Sequence, residues 1–244
     1  MKGYTITDVG KVRNENQDCV RFIQNAVPSY GVLALCDGMG GARAGSVASE
    51  IALTTFISRV TEYLADKKNK ITTSEKLCMA VETANSLIYE RGRTDSQCEG
   101  MGTTLVAAII KGKDCFVVNV GDSRAYLISG GKIEQITRDH SFVEEMVGRG
   151  TLTREAARNH PRKNIITRAL GAEETVLCDI FEPELAKNDL LLLCSDGLSN
   201  TLTDEEILEI STGTKDLAGI GRELLEKALS RGAPDNVTVG LIRK

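Results

Sequence analysis

The pattern of hydrophobic and polar residues predicts helices towards both ends of the chain and strands between them. Apolar residues recur at helical spacing over 44–60, and Thr72-Thr-Ser-Glu75 has the form of a capping box that opens a second helix. The same box pattern at Thr203-Asp-Glu-Glu206 opens a short helix, and residues 216–230 predict a longer one.

Short apolar runs separated by polar turns predict strands in the rest of the chain. They cover residues 4–9, 18–23, 31–37, 103–110, 114–120, 124–129, 132–137, 175–181, 189–194 and 235–243. The four runs between 103 and 137 leave no room for a crossover helix, so we predict an antiparallel meander there. Together these elements favour one α+β domain over residues 1–244, in which helices cover antiparallel sheets. The polar segment 138–171, with two short helical pieces at 141–147 and 153–158, is predicted to be an insert over the sheet surface.

Three of the predicted strands end at an aspartate. Asp37 follows the apolar run that begins at Gly31, and Asp122 and Asp196 stand at the ends of two later runs. Aspartate is common in turns, so any one of these residues can be simple turn chemistry. An ionised carboxylate at the end of a buried strand is costly without a positive partner. Three of them together indicate oxygen ligands for a hard cation, Mg²⁺ or Mn²⁺.

Asp235 adds a fourth carboxylate, at the start of the last predicted strand. In an antiparallel sheet the start of one strand lies beside the end of its neighbour, so we expect all four aspartates to meet at one sheet edge. Carboxylates that close together repel, and they raise one another's pKa unless cations neutralise them. The cluster predicts a two-metal hydrolytic site that activates water for attack on phosphorus.

Arg13 is the natural phosphate partner in such a site, because a guanidinium binds phosphate through two parallel hydrogen bonds. Taken alone, an arginine near the N-terminus is more often a solvated surface charge. His140 and His160 are predicted to be loop histidines that bond to nearby backbone groups rather than catalytic residues.

Composition excludes several classes of protein. The net charge of −4 over 244 residues gives no sign of a nucleic-acid surface. The longest apolar stretches are too short to span a bilayer, and the N-terminus lacks the apolar core of a secretory signal. Seven cysteines without a C-x-x-C pair indicate reduced thiols in a cytoplasmic protein. We therefore expect a cytoplasmic protein that binds neither nucleic acid nor membrane.

Six short motifs run in order along the chain. They are Thr7-Asp-Val-Gly-Lys-Val-Arg-Asn-Glu-Asn-Gln-Asp18, Cys36-Asp-Gly-Met-Gly-Gly41, Met101-Gly-Thr-Thr104, Val120-Gly-Asp-Ser-Arg124, Ser195-Asp-Gly197 and Pro234-Asp-Asn236. Together they resemble the metal-dependent protein phosphatases of type 2C, in the order that the family has them. Two further stretches, 137–141 and 160–171, are similar to the bacterial branch. The resemblance extends from about Thr5 to Arg243.

The resemblance implies a four-layer αββα sandwich of two antiparallel sheets flanked by helices, with a flap over about 138–171 beside the catalytic cleft. It implies a protein serine/threonine phosphatase that requires Mn²⁺ or Mg²⁺. A metal-bridging hydroxide would attack phosphorus in line, without a covalent phosphoenzyme. The partners would be phosphorylated proteins, including a bacterial Ser/Thr kinase whose action the enzyme opposes. We expect the protein to be a monomer.

The resemblance also implies roles for individual residues. Asp37 would bridge two metals and act in catalysis, and the carbonyl of Gly38 would bind the second metal. Asp196 and Asp235 would complete the first metal. Asp122, together with Asp196, matches the ligands of a third, weaker metal in bacterial relatives.

Two more positions match the family pattern and two depart from its animal form. Asp18 would act through water in the outer shell, and Arg13 would hold the substrate phosphate. Gln17 and Met39 stand where animal relatives carry a glutamate and a histidine, which leaves open the proton donor to the leaving alkoxide.

Two alternatives remain beside the enzyme. A pseudophosphatase would bind phosphopeptides without turnover. Such a protein is expected to lack one of the metal aspartates or Arg13, but this sequence has all of them. A regulatory domain whose output depends on a partner is the other reading.

Overall fold

The computed structural model describes residues 1–27, 29–41, 44–66, 71–213 and 216–244. Within these ranges it has eleven β-strands and seven α-helices. The strands are β1 Lys2–Asp8, β2 Asp18–Ala26, β3 Ser29–Met39, β4 Gly102–Thr103, β5 Leu105–Lys111, β6 Asp114–Val120, β7 Arg124–Ser129, β8 Lys132–Gln135, β9 Asp179–Phe181, β10 Leu190–Cys194 and β11 Val237–Arg243. The helices are α1 Ala44–Ala65, α2 Thr73–Thr94, α3 Phe142–Gly148, α4 Arg154–Arg158, α5 Asp196–Ser199, α6 Asp204–Thr212 and α7 Leu217–Ser230. None of the described helices is long and apolar enough to cross a membrane.

The strands form two antiparallel sheets. Sheet I has the order β1-β11-β10-β7-β8, and sheet II has the order β2-β3-β5-β6-β9, with the short β4 paired to β3. The first and last strands of the chain, β1 and β11, pair along seven residues, so both chain ends lie in sheet I.

Three apolar layers hold these sheets and helices together. Helices α1 and α2 cover sheet II, with Phe56 and Ile88 fully buried in that layer. Helix α7 covers sheet I through Ile220 and neighbouring side chains. The two sheets pack on each other through a third layer that includes Leu33 of sheet II and Leu191 of sheet I. The predicted four-layer αββα sandwich is therefore confirmed.

Strand β3 shows why the sequence around Asp37 is continuously apolar. Its side chains alternate between two buried faces: Val32 and Ala34 face the helices, whereas Leu33 and Leu35 face sheet I. A strand buried on both faces has no polar face, so its sequence lacks the usual alternation. The prediction of a buried strand that leads to Asp37 is confirmed, although β3 continues to Met39.

The predicted single meander between 103 and 137 is wrong. Strands β5 and β6 pair in sheet II, whereas β7 and β8 pair in sheet I, so the chain changes sheet between Val120 and Arg124. Gly121 makes this crossing with φ +108°, and a Cβ there would lie 2.6 Å from Cγ2 of Thr104. Local periodicity predicts strands but not the sheet that each one joins, because the partner strand is distant in sequence.

Most helix predictions are confirmed, but one short helix was missed and one strand is shorter than predicted. Both capping boxes form, at Thr72 and Thr203. Helix α5 was not predicted, and it makes Asp196 the first residue of a short helix. The strand predicted over 175–181 is reduced to Asp179–Phe181.

The segment 138–171 contains the two short helices predicted for it, α3 and α4. Ser141 and Thr153 cap them by accepting backbone N–H groups. Leu170 is fully buried and pairs with Thr103 in an isolated bridge, so the end of the segment is anchored to sheet II. Its role as a flap stays a prediction.

The crossing at Gly121 generates a test of the two-sheet topology. Gly121→Ala should lower the free energy of unfolding by about 2–5 kcal/mol, because an L-residue is strained at this φ and its methyl group would overlap Thr104. Gly112→Ala is the matched control: it has φ +63° in an open turn with nothing within 4 Å of a new Cβ. It should lose only about 1–2 kcal/mol. Urea denaturation in EDTA measures both, and equal losses would contradict the close packing at the crossing.

Candidate active site

A cavity of about 590 Å³ opens at one end of the sandwich. Four aspartates line it: Asp37 from β3, Asp122 from the turn between the sheets, Asp196 from α5 and Asp235 from the turn before β11. Sheet II supplies Asp37 and sheet I is flanked by Asp196 and Asp235. The predicted convergence is therefore observed, but at the end of the sandwich where both sheets meet rather than at the edge of one sheet.

Asp18 lies beside this group but is buried. It is the register partner of Asp37 in the β2–β3 pair. Oδ2 of Asp18 accepts a hydrogen bond from Oγ1 of Thr238 at 2.6 Å, which ties sheet II to β11 of sheet I. Oδ1 of the same carboxylate is buried without a hydrogen-bond partner. A buried polar atom of this kind indicates a site that a water molecule or ion completes.

Burial and mutual repulsion raise the pKa of four carboxyl groups at this end of the sandwich, those of Asp18, Asp37, Asp122 and Asp196. Desolvation, followed by repulsion from Asp18 and Asp196, raises the pKa of Asp37 well above its ordinary value. Desolvation is also the main cause for Asp122, where it raises the pKa with repulsion from Asp196 next. Repulsion from neighbouring carboxylates therefore adds to desolvation in raising the pKa of both groups.

Two further carboxyl groups, those of Asp18 and Asp196, have pKa values just below neutral pH. Burial raises the pKa of Asp18 to about 6, although its hydrogen bonds oppose the shift. Burial, with repulsion from Asp235 next, raises the pKa of Asp196 to about 6. At neutral pH the site therefore holds closely spaced negative charges that a cation would stabilise.

Arg13 reaches the cavity from the loop between β1 and β2. Its Nη2 donates to Oδ2 of Asp235 at 2.8 Å, and 56 % of its side chain is exposed. The bond to Asp235 raises the pKa of Arg13 further, and the charges of Asp196 and Asp37 also favour the cation. Arg13 is thus placed beside the aspartates, although it remains open to solvent.

Asn236 holds the loop that carries Arg13, a role that sequence reasoning missed. Its Nδ2 donates to the carbonyls of Val9 and Glu15 at 2.9 and 3.0 Å, and its Oδ1 accepts from the backbone N–H of Gln17 at 2.8 Å. One buried amide therefore fixes both sides of the loop. The sequence gives one indication of this role: Asn236 directly follows a candidate metal ligand, and its amide can both donate and accept hydrogen bonds.

Hydroxyl groups fix the backbone around Asp37. Oγ1 of Thr104 accepts from the Asp37 N–H at 3.0 Å, and Oγ1 of Thr103 donates to the Asp37 carbonyl at 2.9 Å. Oγ1 of Thr104 also lies 2.8 Å from Oγ of Ser123, next to Asp122. The motif Met101-Gly-Thr-Thr104 thus connects two of the aspartates through neutral groups.

Both histidines bond to nearby backbone, as predicted. Nδ1 of His140 accepts from the N–H of Gly121 at 3.0 Å, so its Nε2 carries the proton and donates to Oδ2 of Asp179 at 3.1 Å. Nδ1 of His160 accepts from the N–H of Arg162. Neither ring lines the cavity. His140 holds the turn that precedes Asp122 and is not placed as an acid or base.

The donor set suits hard divalent cations. The aspartates offer carboxylate oxygens, the unpaired Oδ1 of Asp18 lies behind them, and Gly38 lines the cavity with its backbone. Mg²⁺ and Mn²⁺ prefer such ligands. Within the described ranges no group of three or more Asp, Glu, His or Cys side chains is arranged so that it could hold a metal ion. Gln17 and Met39 line the same cavity as the aspartates.

Comparison with known proteins supports a single family. The model of the protein phosphatase 2C family matches residues 11–232. The chain is 38 % identical over 242 residues to a serine/threonine phosphatase, Stp, of Listeria welshimeri, covering 98 % of this chain and 94 % of the relative.

Solved structures give the same result. The chain matches the serine/threonine phosphatase Stp1 of Staphylococcus aureus with a TM-score of 0.91 and 36 % identity, covering 100 % of this chain and 94 % of that one. It matches the catalytic domain of the serine/threonine protein phosphatase PstP, solved in complex with two manganese ions, with a TM-score of 0.84 and 37 % identity, covering 98 % and 96 %. The sequence motifs, the four-layer fold and these matches agree: this chain belongs to the protein phosphatase 2C family and is a protein serine/threonine phosphatase.

Proposed function

We propose that this chain hydrolyses phosphoserine and phosphothreonine in proteins with two divalent cations, Mn²⁺ or Mg²⁺, held in the aspartate-lined cavity. The observation that carries the proposal is the meeting of Asp37, Asp122, Asp196 and Asp235 with the Arg13 guanidinium in one cavity. When bound there, paired cations supply an activated water and neutralise charge on the transferred phosphoryl group.

Each aspartate has a distinct role in the proposal. Asp37 would be a ligand of both cations, and the carbonyl of Gly38 would contribute to the second. Asp196 and Asp235 would complete the first. Asp122, with Asp196, would hold a third and weaker cation.

Asp18 and Arg13 act around this group. The unpaired Oδ1 of the buried Asp18 supports an outer-shell role through water. Arg13 holds the substrate phosphate. Its ion pair with Asp235 is partly exposed, with 56 % and 33 % of the two side chains accessible. Such a pair is worth only about 0–1 kcal/mol, so a phosphate can take over the guanidinium at little cost.

The remaining parts of the proposal concern the protein's setting. Residues 138–171 act as a flap, because Asn164 and Ile166 of this segment line the same cavity. The leaving alkoxide takes its proton from water in the cavity, since neither histidine reaches it. The substrates are phosphoproteins, including a Ser/Thr kinase that the phosphatase opposes. Residues 1–244 act as one catalytic domain, as a monomer in the cytoplasm.

Asp37→Asn should separate the stability of the protein from its function. The variant should keep less than about one thousandth of the wild-type rate on a phosphopeptide, because a bridging ligand sets both cations and the nucleophile. In EDTA it should be more stable than the wild type, because a neutral amide removes the repulsion that raises the Asp37 pKa. Turnover assays and urea denaturation measure the two effects. Near-normal turnover in the folded variant would contradict the two-metal site.

Stabilisation by Mn²⁺ should depend on pH. The raised pKa values of about 6 for Asp18 and Asp196 mean that protons compete with cations below that pH. In EDTA these carboxyl groups bind protons more tightly when folded, so their contribution to stability falls as pH rises from about 4 to about 6. The increase in Tm caused by Mn²⁺ should therefore grow from about pH 5 to about pH 7.5. A metal-dependent increase that is the same at both pH values would contradict binding at these groups.

Arg13→Ala should impair phosphate binding but not metal binding. Loss of a charge-assisted hydrogen-bond pair, worth about 1.5–3 kcal/mol, should lower kcat/KM about 10- to 100-fold, mostly through KM. Metal affinity by calorimetry should change by no more than about fivefold, because arginine does not ligate cations and its exposed pair with Asp235 is worth only about 0–1 kcal/mol. Arg21→Ala is the matched control, since Arg21 is another exposed arginine in a surface pair, with Glu50. Unchanged kinetics in Arg13→Ala would make Arg13 a surface charge.

A further inference from the structure

Two of the seven cysteines have their sulfur atoms in contact. Sγ of Cys178 lies 3.3 Å from Sγ of Cys78, although the two residues are 100 positions apart in the sequence. All seven cysteines are free thiols in the structure. Both members of the pair are half-buried, so solvent has access to them.

The pair lies between helix α2 and the irregular segment that precedes β9. Cys78 lies near the start of α2, whose neighbouring Leu77 is buried against α1 and sheet II. Cys178 directly precedes the three-residue strand β9, at the end of the largely exposed segment 172–178. A disulfide requires an S–S distance of about 2.05 Å, so the sulfurs need to approach by about 1.3 Å. Asn85 of α2 donates hydrogen bonds to the carbonyls of residues 173 and 174, so the helix and this segment are already held side by side.

We propose that Cys78 and Cys178 are an oxidation site that forms an intramolecular disulfide and ties α2 to the segment before β9. With a hydroperoxide as the oxidant, one thiol reacts with H₂O₂ to give a sulfenic acid and water. The second thiol attacks that sulfur, forms the S–S bond and releases a second water. Two thiols lose two hydrogens, and one peroxide is reduced.

The chemical environment of Cys178 favours its thiol form. Burial, followed by the contact with Cys78, raises the pKa of Cys178 to about 12. The thiolate is the reactive form, so reaction at this sulfur should accelerate as pH rises.

The disulfide would restrain a segment connected to the active site without blocking it. Asp179, next to Cys178, accepts hydrogen bonds from Nε2 of His140 and from Nη1 of Arg168 at 3.1 and 2.9 Å. His140 in turn holds Gly121. Neither cysteine lines the aspartate cavity. The disulfide should therefore stabilise the fold while turnover is retained.

Mass spectrometry of the full-length, Mg²⁺-loaded protein tests the proposal. After H₂O₂ treatment and alkylation of the remaining thiols, trypsin should release the peptides 77–91 and 169–187 as one disulfide-linked species. The oxidised protein should have a Tm about 5–15 °C higher than the reduced one, because the bond closes a loop of 100 residues. Turnover of a phosphopeptide at 25 °C should be equal in the two forms, and a reductant should reverse the Tm increase.

Three variants control the experiment. Cys78→Ser and Cys178→Ser should each abolish the linked species and the increase in Tm. Cys19→Ser should retain both, because Cys19 is equally half-buried but its sulfur contacts Ser49 and Glu50. The proposal is overturned if Cys78 and Cys178 are alkylated while other thiols are oxidised, if the linked peptides contain other cysteines, or if the linked protein is no more stable than the reduced one.

Discussion

Electrostatic repulsion among carboxylates at the end of the sandwich is the constraint on which the rest of this structure depends. Asp37 and Asp122 lie where desolvation and neighbouring charges both disfavour ionisation. Such a cluster destabilises a folded protein unless cations neutralise it. The three apolar layers between sheets and helices must therefore stabilise the fold strongly enough to hold these groups in place. In the proposed site, binding of cations would recover stability where the chemistry takes place.

The groups that position the aspartates are almost all neutral. They therefore leave the negative charges of the carboxylates available to cations. Thr104 orients the Asp37 backbone, Asn236 holds the Arg13 loop, and a neutral His140 holds the turn before Asp122. Desolvation lowers the pKa of His140, which keeps its ring uncharged at neutral pH. A lysine or arginine in any of these places would neutralise the carboxylates and compete with a metal. Hydroxyl, amide and imidazole groups instead fix geometry without supplying charge.

The sequence predicted the layers and the aspartates better than it predicted the connections between them. Continuous apolar runs and capping boxes report on burial and on local hydrogen bonds, so β3, α2 and α6 were found near their true positions. The crossing at Gly121 was missed, because the change of sheet depends on pairing with β10, far along the chain. The clamp made by Asn236 and the contact between Cys78 and Cys178 were missed for the same reason. Each joins residues that only the folded topology brings together.

The proposed roles of Asp235 and Arg13 couple metal binding to substrate binding. Oδ2 of Asp235 accepts a hydrogen bond from Arg13. An oxygen that coordinates a cation has less negative charge to offer a guanidinium, so coordination by Asp235 would weaken its pair with Arg13. The guanidinium, held at the cavity by the loop that Asn236 fixes, would then be free to bind phosphate. Because linkage is reciprocal, phosphate bound to Arg13 would also release Asp235 for coordination. In this proposal one exposed ion pair would let cations and substrate favour each other's binding in the same cavity.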